Sequence, residues 1–272
     1  MPEVTRRQFV AGLLTTAGLV AVSRTIGLSD EAPHSKVPHA SSDSARLLPA
    51  PPRTQRVSLP GSGALSRLPG DGDMLALTLD DGVNPEVVRC YTQLAKDTGI
   101  RLTYFVNGVY DSWRENAQLL RPLVDSGQIQ LGNHTWSHAD LTMLDKGQVA
   151  DELQRNHRFL RDTYGVDAAP YFRPPYGNSN RTVDAVAADL GYQVKTLWSA
   201  SLADSTVLPE DYIVEMADQH FIQQNIVVGH LNHLPVTRVY PEMLSIIGSR
   251  DLRTVTLNDV FLQAEVPRVV GT

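Results

Sequence analysis

The sequence predicts an α/β fold with a parallel sheet covered by helices, either open or closed into a barrel, and preceded by an export signal and a linker. Three observations lead there. From about residue 73, seven short apolar or β-branched runs alternate with six helical stretches over roughly 190 residues, which is the pattern of repeated strand–helix units. Several of these runs end on charged or imidazole-bearing residues, and loops at the C-terminal ends of parallel strands build the sites of such folds. The first 70 residues carry neither pattern.

The chain opens with Thr5-Arg6-Arg7-Gln8-Phe9 and an apolar run from Phe9 to Val22. Two arginines ahead of so short a run resemble a twin-arginine export signal, since about 20 apolar residues are needed to span a bilayer. An ordinary buried helix is the alternative. Six prolines (33, 38, 49, 51, 52 and 60) then fall within residues 31–60 with scattered Ser and Ala, which is linker composition.

Strands are expected at 74–79, 101–106, 128–132, 170–172, 193–198, 225–229 and 253–257. Helices are expected at 85–98, 114–126, 146–164, 180–190, 209–223 and 238–248. The net charge of −6 is unevenly spread: residues 1–70 hold eight Lys/Arg and four acids, and the remainder sixteen against twenty-six. A body this acidic lacks the basic footprint that nucleic-acid phosphates require. The single cysteine, Cys90, excludes an intramolecular disulfide and a Cys-based zinc cluster. It falls within a predicted helix and reads as a packing residue.

The chemistry-bearing residues come in four groups. The first strand runs into Asp80-Asp81-Gly82, where two carboxylates share a pocket only because the strand ends; the same run is also good turn chemistry. After the third strand, Gly132-Asn133-His134-Thr135-Trp136-Ser137-His138 spaces two histidines four apart. On one face of a helical turn both reach a single divalent ion, and with one carboxylate they leave positions open, as in catalytic zinc. The fourth strand ends on Arg173-Pro174-Pro175-Tyr176-Gly177, stiffened by two prolines, with Arg173 free to grip a carboxylate; a rigid surface turn is the other reading. Ile226-Val227-Val228-Gly229-His230 ends a strand on a histidine, either an acid–base group or a structurally satisfied one.

The order and spacing of these groups resemble the polysaccharide deacetylase family, carbohydrate esterase family 4 with its NodB-like homology domain. The resemblance covers roughly 73–262, including Leu-Thr-Leu-Asp-Asp-Gly, Gly-Asn-His-Thr-Trp-Ser-His, Arg-Pro-Pro-Tyr-Gly and Thr254-Val255-Thr256-Leu257. It implies a distorted (β/α) barrel and a division into a signal peptide (1–30), a linker (31–70) and a deacetylase-like domain (71–272). It implies that Asp81, His134 and His138 hold a divalent metal, usually zinc, with cobalt or another divalent ion as alternatives. Asp80 would be the general base, Arg173 would orient it, His230 would be the general acid, and the backbone N–H of Tyr176 would stabilise the oxyanion. The expected substrate is an acetylated poly- or oligosaccharide, either an N-acetylglucosamine amide of peptidoglycan or chitin fragments or an O-acetyl ester of xylan. The protein would be secreted or cell-wall associated and monomeric, with no nucleic-acid partner and no stable membrane anchor once the signal is removed.

One segment departs from the family pattern. Trp198-Ser199-Ala200-Ser201-Leu202-Ala203-Asp204-Ser205 has Ser201 where an acid that tunes the catalytic histidine is expected. His230 is therefore expected to lack its acidic partner and titrate near its ordinary value of about 6.5, unless Asp204 serves from another angle. The same replacement favours an alternative function, a catalytically degenerate member that binds glycan without turnover. Trp113, Trp136 and Tyr110 are candidates to line a sugar groove or to be packing residues, and His157 and His220 are read as solvated or capping.

Overall fold

A computed structural model describes residues 47–60 and 63–262 of the chain. The signal-like segment and the first part of the predicted linker lie outside the described residues. The strands are β1 (Ala64–Leu65), β2 (Met74–Asp81), β3 (Leu102–Val106), β4 (Ile129–Asn133), β5 (Tyr171–Phe172), β6 (Val194–Thr196), β7 (Ala200–Ser201), β8 (Ile226–His230) and β9 (Arg253–Thr254). The α-helices are α1 (Pro85–Thr98), α2 (Ser112–Glu115), α3 (Ala117–Asp125), α4 (Lys146–Tyr164), α5 (Arg181–Asp189), α6 (Glu210–His220), α7 (Tyr240–Ser249) and α8 (Leu257–Val260).

Every strand pairing is parallel, in the order β1-β6-β5-β4-β3-β2-β8-β7, with β9 added beside the start of β2. The sheet, expected to be open or closed into a distorted barrel, is a curled half-barrel among the described residues. No ladder joins β7 to β1 or β6 among the described residues, because these edge strands run for only two or three residues. An isolated antiparallel bridge between Arg67 and Asn225 lies where a closing ladder would be needed.

Period-two alternation sorts the two faces of this sheet. Leu75, Leu77 and Leu79 on β2 join Tyr104, Val106 and Val227 in the large core beneath the helices. Ala76, Phe105, Tyr171, Val194 and Ile226 form a second buried cluster. Asp80 and His230 continue the second series to the C-terminal ends of β2 and β8, where the two residues pair in register. Gly132 on β4 is needed because a Cβ there would sit 2.7 Å from the Phe105 ring.

Helix boundaries follow their caps. Asn84 accepts the Glu86 N–H ahead of Pro85, and Gly99 ends α1 at φ 80°. Asp145 and Gln148 form a reciprocal capping box on α4, and Gly165 ends it at φ 73°. Three expectations differ from the structure. The predicted helix 114–126 is broken at Asn116, whose side chain donates to the carbonyls of Pro85 and Ser112. The predicted strand 253–257 stops at Thr254, because a Thr256/Asp259 capping box starts α8. Within the stretch expected as linker, Ala64 and Leu65 pair with β6, Leu65 and Leu68 are buried, and Val57 bonds the backbones of Val260 and Leu262.

Candidate active site

The C-terminal ends of β2, β4, β5 and β8 surround one cavity of about 630 Å³, lined by Asp80, Asp81, His134, His138, Tyr176 and His230 among others. Both carboxylates of β2 reach it because Asp81, the last strand residue, turns into the left-handed region at φ 74°. Gly82 follows at φ 99°, with the Trp113 ring packed so closely that a Cβ would lie 2.4 Å from it. Trp113 donates its indole N–H to the Asp81 carbonyl at 3.1 Å, so this tryptophan is a fully buried support for the turn rather than a groove residue.

His134 and His138 do not lie on a helical turn, which corrects the sequence reading of their spacing. They sit in a loop after β4, where Thr135 at φ 72° and His138 at φ 61° bend the chain until the imidazoles are 5.0 Å apart. Three buried asparagines hold that loop. Asn107 donates to the carbonyls of His134 and Thr135, while Asn133 accepts from Thr135 N–H and from Asn156, and Asn156 also caps Gly108 N–H. Sequence reasoning missed Asn107 and Asn156, which lie far from the motif and carry no pattern of their own.

One ligand atom from each of Asp81, His134 and His138 falls within a mutual 4.8 Å. Asp81 Oδ1 is 3.3 Å from Nε2 of both histidines and is buried without a hydrogen-bond partner. His134 Nδ1 lies 2.7 Å from the Arg173 carbonyl, which can only accept, so Nδ1 carries the proton and Nε2 presents its lone pair to the site. Asp81 Oδ2 accepts from Asn232 at 2.6 Å, which leaves Oδ1 to face the imidazoles. An orphaned carboxylate oxygen between two imidazole nitrogens fits a divalent cation. Although burial opposes it, the proximity of His134 and then of His138 holds Asp81 well below the usual carboxylate range. Burial and then the charge of His134 pull His138 below its ordinary value.

Asp80 faces the same space and is gripped by Arg173, whose Nη1 lies 2.6 Å from Oδ1. Arg173 is wholly buried; Nε and Nη2 donate to the Thr196 and Leu197 carbonyls, and the guanidinium lies over the Phe105 ring at 4.2 Å. With Nε and Nη2 each bonded to backbone, its orientation toward Asp80 is set by the fold. Across the cavity, His230 Nδ1 is 3.0 Å from Asp204 Oδ1, and Asp204 Oδ2 accepts the His230 backbone N–H.

The expectation that His230 lacks an acidic partner is therefore corrected: Asp204 supplies the carboxylate. Ser201 lines the same cavity, where its hydroxyl accepts the Ala203 N–H at 2.9 Å. Burial disfavours the charged imidazole, but the bond to Asp204, its charge, and the carboxylates of Asp80 and Asp81 outweigh that and raise His230 from 6.5 to about 9.

Tyr176 occupies the Pro175–Gly177 turn at φ 59°, with its ring 4.7 Å from that of His138. Tyr110 lines the cavity, whereas Trp136 packs on Phe159 beneath Arg155. His157 is half-buried with Nδ1 2.8 Å from the Tyr192 hydroxyl, so it is a satisfied structural residue rather than a solvated one.

Comparison with known proteins gives relatives for this arrangement. The family model described as "Polysaccharide deacetylase" matches residues 67–195. Chitin deacetylase 1 of Cryptococcus neoformans is 32% identical over 52% of this chain and 29% of its own length. The bifunctional xylanase/xylan deacetylase of Cellvibrio japonicus is 30% identical over 48% of this chain and 19% of its own length. The chain thus spans less than a third of either relative. Among solved structures, a carbohydrate esterase family 4 pseudoenzyme from Bacillus anthracis shares the fold, with TM-score 0.64 at 20% identity over 74% of this chain and 69% of that one.

Proposed function

Because residues 67–195 belong to the polysaccharide deacetylase family, we propose that this protein is a metal-dependent hydrolase that removes acetyl groups from a glycan. The observation that carries the reading is the orphaned Asp81 Oδ1 facing Nε2 of His134 and His138, with Asp80 beside it and His230 across the cavity. Asp81, His134 and His138 would hold a divalent ion, and two imidazoles with one carboxylate suit zinc. Such an ion would supply Lewis acidity, easing ionisation of water near pH 7 and polarising the acyl carbonyl.

The chain's own residues divide the remaining work. Asp80, held in place by the Arg173 guanidinium, takes the proton from the attacking water. His230, held protonated by Asp204, gives a proton to the leaving nitrogen or oxygen. The Tyr176 turn lines the cavity beside His138, and its backbone N–H is assigned to the oxyanion. Chitin and xylan deacetylases among the relatives hydrolyse different bonds, an amide and an ester. Both reactions pass through a tetrahedral intermediate that this set of groups serves equally.

The degenerate, binding-only alternative drew its support from Ser201. With Asp204 on His230 that support falls away, and the fold shared with a pseudoenzyme carries no argument about turnover at 20% identity. The test is acetate release from peptidoglycan, chitooligosaccharides and acetylated xylan after zinc reconstitution, with two variants. Asp80→Asn is expected to keep bound metal and lose turnover, whereas Asp81→Asn loses metal. No acetate from any of the three substrates overturns the reading, and equal metal loss in both variants overturns the division of roles.

A further inference from the structure

At the opposite end of the strands from the catalytic groups lies a second cavity, of about 490 Å³, between the segment before β1 and the N-terminal ends of β3, β4 and β5. Its lining is rich in donors. Tyr171 of β5 lines this cavity with only 1% of its surface exposed, and its hydroxyl is buried with no hydrogen-bond partner. The Arg56 Nε is likewise buried and unpartnered. Arg53, one turn earlier, also lines the cavity, and among the described residues no ion pair engages Arg53 or Arg56.

Of the acids lining the cavity, Asp259 is held in a double contact by Arg101 at 2.6 and 2.8 Å, while Asp167 is exposed and accepts the Ala169 N–H through Oδ1 at 3.0 Å. Burial raises the Tyr171 phenol above its ordinary range despite the pull of Arg56, so it stays a donor. The Arg56 backbone is anchored rather than loose, because its neighbour Val57 bonds Val260 and Leu262 at 2.9 and 2.8 Å.

Two orphaned buried donors on residues that line one cavity leave desolvation uncompensated, a cost that a matching acceptor relieves. Guanidinium groups with a neutral hydroxyl select an oxyanion. Three donor groups from separate residues match the three terminal oxygens of a phosphate better than the two of a carboxylate. We propose that this cavity binds the phosphate group of a small ligand through Arg56, Arg53 and Tyr171. It is separate from the deacetylation chemistry, since it lies at the end of the sheet where such folds do not place catalysis.

The test uses the full chain at constant ionic strength, with calorimetric titration of inorganic phosphate, glycerol 3-phosphate and malonate. The two phosphates distinguish a free ion from a phosphomonoester, and saturable binding of either supports the site. Arg56→Gln is expected to weaken it about tenfold, the effect of losing one charge-assisted contact. Tyr171→Phe keeps the ring in the core, so without phosphate it should unfold no earlier than the parent, while binding phosphate several-fold more weakly. His134→Ala should bind phosphate as the parent does. Malonate binding tighter than both phosphates, unchanged affinity in Arg56→Gln, or loss of binding in His134→Ala would each overturn the proposal. So would the absence of saturation by tens of millimolar phosphate. Earlier unfolding of phosphate-free Tyr171→Phe would likewise count against it, since it would mean that the hydroxyl already has a structural partner.

Discussion

Asp204 holds His230 through both its side chain and its backbone, and in the proposed reaction this double grip would set the alkaline edge. A general acid acts only while protonated, so activity should persist until pH rises through about 9 and then fall. Asp204→Asn removes the charge that favours imidazolium, and the alkaline limb is expected to drop by one to two units, on the order of a close charge partner's effect. A pH–rate profile reads this directly; an unmoved limb would mean that His230 does not donate the proton. The folding linkage has the same sign. A histidine raised in the folded state contributes stability that is full below its unfolded value of 6.5 and is lost as pH climbs to about 9. Asn232 acts on the other side of the cavity. It occupies Asp81 Oδ2 at 2.6 Å and so aims Oδ1 at the imidazoles, and Asn232→Ala is expected to weaken zinc binding by about 10- to 100-fold, as for other partners of metal ligands. Competition with a chromophoric chelator measures this apart from turnover, and an unchanged affinity would show that the strand end alone orients the carboxylate.

Between residues and fold, the decisive elements are short. β2 supplies both carboxylates because it runs eight residues between β3 and β8 and turns left-handed only at its last position. β1 is two residues long, yet it covers β6, the next strand from the Arg173 end of β5, and places Leu65 and Leu68 in the inner cluster. The segment from 64 to 68 therefore belongs to the folded unit. Leu65→Ala and Leu68→Ala are each expected to cost about 2 kcal/mol, the low end for a buried leucine because both lie near an edge. Denaturant unfolding checks it, and a loss below about 0.5 kcal/mol in both would mean that the segment only rests on the surface.

Taken whole, the molecule assembles one site from strand ends far apart in sequence, with Asp81 on β2 and the two histidines after β4. An ion bridging them binds the folded chain and not the unfolded one, so it should stabilise the entire domain. At free zinc one hundred times Kd the gain is about 2.7 kcal/mol, and chelation should lower the melting temperature by several degrees. A melting curve indifferent to chelator and to added zinc would contradict a cation site at these residues. No described helix is long and apolar enough to cross a membrane.

The sequence alone was enough for the alternation of strands and helices, the extents of α1 and α4, and the strand-end position of every group assigned to the site. These are local properties: hydrophobic period, proline and glycine punctuation, and residue types at fixed spacing. What only tertiary structure decided is how those groups meet. Local spacing suggested a helical turn for His134 and His138, but buried asparagines from β3's loop and α4 hold a left-handed loop instead. Alignment by position left His230 without an acid at Ser201, whereas the chain's path brings Asp204 to it three residues later. Local reading left the sheet open or closed, and it missed the fold's claim on residues 64–68. A two-residue strand carries no periodicity to detect, and its pairing partners lie more than a hundred residues away.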